Sequence, residues 1–232
     1  MSAPTSATAI DPQRAPTFWQ STNGKKVVMA VTGCILFIFL IGHLLGNLLV
    51  YSGPDRFNSY AEFLHFDGTL LWIARSILIL AVVLHIVATV QLAVRNKKAR
   101  PVGYSRKQAI NSSYASRTMY WSGPIVLAFV IFHLLEFTAG TIHPGTVFIP
   151  GDVYHNVVTG FQVWWVSAWY IFALILLGFH LRHGLWSMFQ SFGVPQSLSA
   201  ERANKRWALL VAVILIAGYI SIPISVLTGL IK

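Results

Sequence analysis

The chain reads as an all-α integral membrane bundle of five transmembrane helices, with its amino terminus cytoplasmic and its carboxyl terminus outside. Three observations predict this. Hydrophobic residues make up 55% of the 232 residues and charged ones only 10%, with a mean hydropathy of +0.63, too little polar surface to cover a water-soluble globule of this length. Five apolar runs reach the roughly 20 residues that a bilayer-crossing helix needs. Basic residues gather in alternate connections only, and cytoplasmic loops are where Lys and Arg accumulate.

Residues 1–24 form a cytoplasmic tail bearing Pro, Ala and Ser, without an apolar signal core. Spans at about 27–50, 70–94, 119–139, 163–188 and 207–230 follow within one domain, 25–232. The run from Val27 to Val50 is too long for a cleaved signal peptide, so the first span stays in the chain. After "SGPD", Phe57, Tyr60, Ala61 and Leu64 recur at helical spacing, which predicts a short amphipathic helix on the outer surface. Trp19, Tyr120, Trp121, Trp164, Trp165 and Trp207 stand near span ends, where amphipathic rings anchor a helix at the interface.

The basic residues fix the orientation. Arg14, Lys25 and Lys26 precede the first span; Arg95, Lys97, Lys98, Arg100, Arg106, Lys107 and Arg117 join the second to the third; Arg182, Arg202, Lys205 and Arg206 surround the connection between the fourth and fifth. Residues 51–69 contain only Arg56, and 140–162 contain neither Lys nor Arg. The net charge of +10 is thus mostly a cytoplasmic rim, suited to anionic lipid or an acidic soluble partner. No nucleic-acid motif competes with that reading.

Cys34 is the only cysteine. That excludes an internal disulfide framework, a cysteine-ligated iron–sulfur cluster and the attachment signature of covalent haem. Any cofactor must be held by other side chains.

Of eight histidines, His65, His143 and His155 fall in outer loops, where solvent or loop atoms satisfy them. The others lie in spans: His43 in the first, His85 in the second, His133 in the third, His180 and His183 in the fourth. Burying a polar ring without a partner costs roughly 2 to 7 kcal/mol, so one histidine on each of four successive helices asks for a shared purpose. At about 1.5 Å of rise per residue, counting from Lys26 and Arg117 places His43 and His133 roughly 25 Å from the inner face. Counting back from Arg95 and Gly193 places His85 and His180 at roughly 15 to 20 Å.

Two imidazoles at matched depth on facing helices are what a bis-histidine haem b requires. The chain offers two such pairs, an outer one of His43 with His133 and an inner one of His85 with His180, and so two haem b groups. Zinc or non-haem iron is the alternative, but such sites usually gather three or four ligands with carboxylates or thiolates, and "HLRH" is the only close pair. His183 shares a face with His180, and depth favours His180 as the ligand. His183 and Arg182 then suit an inner haem propionate or a solvated helix end. Gly33, Gly42 and Gly46 leave room on the first span for a flat cofactor or for a close helix.

"MAVTG" ten residues ahead of His43, "HLLGNLLVYSGPDRFNSYAEFLH" and "FHLRHGLWSMFQSFG" resemble the cytochrome b membrane-anchor subunit of bacterial succinate dehydrogenases and fumarate reductases, in its single-chain, five-helix, two-haem form. The resemblance runs from about Phe18 onward. It implies that His43 and His133 are the distal haem ligands and His85 and His180 the proximal ones. The family's helix-4 pattern matches His180, Gly184, Leu185 and Trp186. It further implies a place in the bacterial cytoplasmic membrane. There the chain would anchor a flavoprotein and an iron–sulfur protein at the cytoplasmic face and pass electrons between the clusters and a quinone, typically menaquinone. The succinate chemistry itself would lie in the partners.

Quinone chemistry needs protons, and ionisable residues within the membrane are the candidates. They are Arg75 and Glu136 in the outer half and Glu62 on the outer-surface helix. Arg75 suits an outer propionate as well, with Glu136 as its salt-bridge partner. An inner quinone site near Ser21 and Lys25 is a further option. Some relatives carry a second glutamate two residues before the helix-4 ligand, attributed to transmembrane proton transfer; Gly178 stands there in this chain, which argues against that route. Rival readings are the two-haem anchor of a nitrate reductase or formate dehydrogenase, and a transporter or proton channel with a histidine relay. The first sits poorly with one ligand per helix, and no inverted repeat supports the second.

Overall fold

The computed structural model describes residues 17–66, 68–99 and 114–232, with side chains from residue 118 in the last stretch. Among these residues every regular element is helical. Helix α1, Thr22–Asn47, follows a 3₁₀ turn, Phe18–Gln20. It starts earlier than the apolar run because Ser21 caps it, its Oγ accepting from Gly24 N at 2.8 Å, which satisfies one of the donors that a helix start leaves open. Lys25 donates to the Trp19 carbonyl and lies over its ring. Gly24 is required here: a Cβ would fall 1.8 Å from the Phe18 carbonyl oxygen. A 3₁₀ turn, Leu48–Ser52, closes α1 and ends at Gly53, whose φ of 91° favours glycine.

Helix α2, Pro54–Phe66, falls where the sequence predicts a short amphipathic helix, with Phe57 buried. Then come α3, Gly68–Lys98, and α4, Tyr114–His133, which runs through Pro124 and passes into a π-helical turn, Leu134–Thr138. Helix α5, Val153–Gln162, lies in a stretch that the sequence presents only as a connection. Asp152 caps it, accepting from His155 N at 3.0 Å. Helices α6, Trp164–Ser191, and α7, Leu198–Leu227, complete the chain. α7 begins well before residue 207 because Ser197 caps it and Glu201 pairs with Lys205 one turn later, at 2.6 Å.

Five helices are long and apolar enough to cross a membrane: α1 with its 3₁₀ extension, α3, α4 with its π turn, α6 and α7. The expected spans fall on them. Large apolar side chains such as Ile38, Leu45, Trp72, Ile79 and Leu210 face outward, which lipid accommodates and water penalises.

The core follows α6. One cluster packs Leu44 of α1 against Leu174, Leu177 and Leu181 of α6 and Ala212, Leu215 and Ile216 of α7. A second, around Val50, Phe57, Phe129, Val157, Phe161, Val166 and Tyr170, is roofed by α2 and α5. α1 packs along α3 and more sparsely on α6 and α7, while α6 packs along α7 and α4. Among the described residues, neither α1 with α4 nor α3 with α6 forms a packed helix pair. Two seams therefore run through the bundle.

The starts of α1 and α7 and the ends of α3 and α6 share one end. Arg95 donates to Gln20 O at 2.8 Å and Thr22 Oγ1 at 3.2 Å, and Phe189 meets Trp207 with ring centroids 6.1 Å apart. Lys25, Lys26, Lys97, Lys98, Lys205 and Arg206 make this the basic end. Arg14, Arg100, Arg106 and Lys107 lie outside the described residues.

Candidate functional site

The two seams are where the span histidines meet. His43 of α1 and His133 of α4 approach with ring centroids 5.7 Å apart, and His85 of α3 and His180 of α6 with centroids 6.2 Å apart. Each pair joins two helices whose backbones stay apart. A metal held between two imidazole nitrogens at about 2 Å each sets the ring centroids about 6 Å apart, so both separations suit one metal centre per pair. Among the described residues no group of three or more His, Cys, Asp or Glu forms. The donor chemistry is therefore two neutral nitrogens per centre, leaving any other ligands to a group the protein does not itself supply.

Second contacts orient three of the four rings through Nδ1; at His85 and His133 the partner can accept an Nδ1 hydrogen, which leaves the Nε2 lone pair free, whereas at His43 the Asn47 amide donates to Nδ1. His85 Nδ1 lies 3.1 Å from both Met29 O and Thr32 Oγ1. His43 Nδ1 lies 3.3 Å from Asn47 Nδ2, whose amide also donates to His43 O at 2.6 Å. His133 Nδ1 is 3.3 Å from the Tyr170 hydroxyl. His180 Nδ1 is buried without a partner. Gly33 faces His85, where a Cβ would come 3.4 Å from Cε1. It is the ring, rather than a neighbouring helix, that occupies this notch.

Phe39 stacks on His43 at 5.1 Å and 17°, and Tyr219 lies 6.1 Å away. Phe129 and Phe137 flank His133 at 6.0 and 5.8 Å. Added Cβ atoms at Gly42 and Gly184 would meet nothing within 4 Å. These glycines border open space next to His43 and one turn beyond His180.

The remaining candidates are scattered. Glu136 is completely buried inside the π turn, and its Oε2 accepts from Tyr170 at 2.7 Å. Arg75 is not its salt-bridge partner: it lies beside Trp72 on α3, Cζ 5.2 Å from the ring centroid, and Lys205–Glu201 is the one ion pair among the described residues. Glu62 is exposed on α2, in a hollow of about 250 Å³ with Ser59, Phe63 and Phe66. Ser21 and Lys25 are engaged in the turn before α1. His183 meets Trp186 with centroids 6.0 Å apart, and its Nδ1 and the Trp186 Nε1 are buried without partners. Arg182 is half-buried beside it. Gly178 is where α7 presses on α6, since a Cβ would fall 3.1 Å from Ile216 Cγ1.

Of the histidines that the sequence places in loops, His65 lies in α2 and His155 in α5, and all three are held locally. His65 Nδ1 lies 2.7 Å from Ala61 O, His143 Nε2 3.2 Å from Thr159 Oγ1 and His155 Nε2 3.2 Å from Thr146 Oγ1. Burial, and after it the charge of His155, holds the His143 imidazole below its ordinary range. Tyr170 is the site residue that sequence reasoning missed. Compared with protein-family models, with curated proteins and with solved structures, the chain matches none.

Proposed function

We propose that the chain is a two-haem cytochrome b that anchors a respiratory oxidoreductase to the membrane, of the succinate dehydrogenase or fumarate reductase type. One observation carries this reading: both histidine pairs that depth counting matched in the sequence stand at bis-imidazole separation across seams that no helix pair closes. His43 and His133 would hold an outer haem b, and His85 and His180 an inner one. Bound haem supplies one-electron transfer between the two faces of the membrane. The protein's part is to hold the His43, His85 and His133 rings through their Nδ1 contacts and to exclude water with Phe39, Phe129, Phe137 and Tyr219.

The same reading places the basic end in the bacterial cytoplasm, against an iron–sulfur subunit and its flavoprotein. It assigns quinone, menaquinone by the family resemblance, as the other redox partner. Glu62, exposed on α2, is the carboxylate open to quinone contact, whereas Glu136 is buried against Tyr170 and Arg75 beside Trp72 suits a lipid phosphate or a haem propionate. His183 with Arg182 suits an inner propionate, since His183 Nδ1 is a buried donor or acceptor awaiting a partner.

Replacing each of His43, His85, His133, His180 and His183 by Ala and measuring haem per purified protein tests the assignment. The first four variants each lower the count from two, and His183→Ala keeps it. A reduced-minus-oxidised spectrum of the unsubstituted chain lacking a b-type α-band refutes the reading in favour of a histidine relay.

A further inference from the structure

Glu136 is 0% exposed and, among the described residues, pairs with no cation; its Oε1 lacks a partner there, and Tyr170 donates to Oε2. Burying a carboxyl group so sparsely satisfied is expensive, and the local backbone is built to do it. The π turn directly after His133 swings Glu136 inward, as such turns often do at functional sites. Gly160 of α5 makes the space, for a Cβ there would sit 3.1 Å from Glu136 Oε1 and 3.2 Å from the Phe137 ring. Phe129, Phe137 and Phe161 meet the Tyr170 ring edge-on, with centroids 5.0, 5.8 and 4.9 Å away, and fix its direction.

A tyrosine hydroxyl has one proton. Since Tyr170 donates it to Glu136 at 2.7 Å, the hydroxyl oxygen turns a lone pair toward His133 Nδ1, 3.3 Å away. Nδ1 then carries the imidazole hydrogen, and Nε2 presents its lone pair to the seam. None of the other rings is tied to a carboxyl group: His85 faces a carbonyl and a hydroxyl, His43 an amide, and His180 Nδ1 has no partner.

We propose that Tyr170 and Glu136 are positioning residues for His133, raising the basicity of its imidazole and lowering the reduction potential of the outer centre. The proposal rests on the two-haem reading. A carboxyl group acting through a hydrogen-bonded ring raises ligand basicity, and a more basic ligand favours the higher oxidation state of the metal it holds.

The test is an optical redox titration of the purified full chain. Each haem is identified by its loss in His133→Ala or His180→Ala. Tyr170→Phe and Glu136→Gln are each expected to raise the outer midpoint potential, to leave the inner one unmoved and to retain two haems. If Tyr170→Phe cannot hold the outer haem, Glu136→Gln, which keeps both size and an acceptor oxygen, decides by the same criterion. Two haems with an unmoved outer potential, or with both potentials shifted equally, overturn the coupling alone. An unsubstituted chain without haem overturns the underlying reading and the coupling with it.

Discussion

Gly33 and His85 show how closely a single residue is tied to the site. An alanine Cβ at position 33 would touch the imidazole at 3.4 Å, an ordinary contact, whereas a branched side chain adds atoms where the ring already lies. On the proposed two-haem reading, Gly33→Ala is expected to keep both haems, and Gly33→Val to lower the occupancy of the inner one. Haem-to-protein ratios check this, and full occupancy in the valine variant contradicts it. The histidines were legible in the sequence because a polar ring interrupts an apolar run and helical rise converts sequence distance into depth. Tyr170 carried no such signal, lying in the aromatic run "WWVSAWY", which reads as an interfacial anchor. Glu136 was visible, yet its partner was not. Arg75 matched it in depth, but which face of α3 an arginine takes is settled by packing, and packing turned it toward Trp72.

At the scale of elements, the cap formed by α2 and α5 depends on a small polar clasp. Asn58 of α2 donates to Asp152 Oδ1 at 2.9 Å and accepts from Tyr154 N at 2.9 Å, joining α2 to the start of α5. Hydrogen bonds from the His155 backbone and from Asn58 hold the Asp152 carboxyl below its ordinary range. The sign follows from linkage: a group with a depressed folded value adds stability above its unfolded value of about 3.9, and that stability is lost as pH falls through the folded value. Spin labels on α2 and α5 are thus expected to show a broadened distance distribution below about pH 4. Asn58→Ala should broaden it already at neutral pH, at a cost of about 1 to 3 kcal/mol for the two lost bonds. A narrow distribution in that variant contradicts the clasp. The sequence left α5 unread because ten residues without a long apolar run look like any loop. The signal available was Asp152, a capping residue placed just before "VYHNVV". The π turn of α4 left no mark in sequence at all, since it differs from α-helix by one hydrogen-bond register.

For the molecule as a whole, five spans and the alternation of basic and neutral connections were readable because bilayer thickness and charge distribution act over tens of residues. Which spans pack and which stay apart was not, because close approach depends on single side chains such as Ile216 against Gly178. The proposed orientation makes a direct prediction. In a Cys34→Ser background, Val147→Cys, 80% exposed between α4 and α5, should react with an impermeant thiol reagent added to intact cells, and Leu198→Cys, 74% exposed at the start of α7, should not. The reverse pattern inverts the topology.

The unclosed seams have a consequence for biogenesis. Where two helices lie apart and their histidines meet across the gap, whatever enters between them contributes to the architecture as a keystone does to an arch. If the two-haem proposal holds, a chain inserted before haem arrives would have α3 leaning on α1 and little else, a loose intermediate open to membrane proteases. Haem supply would then govern how much of this protein survives.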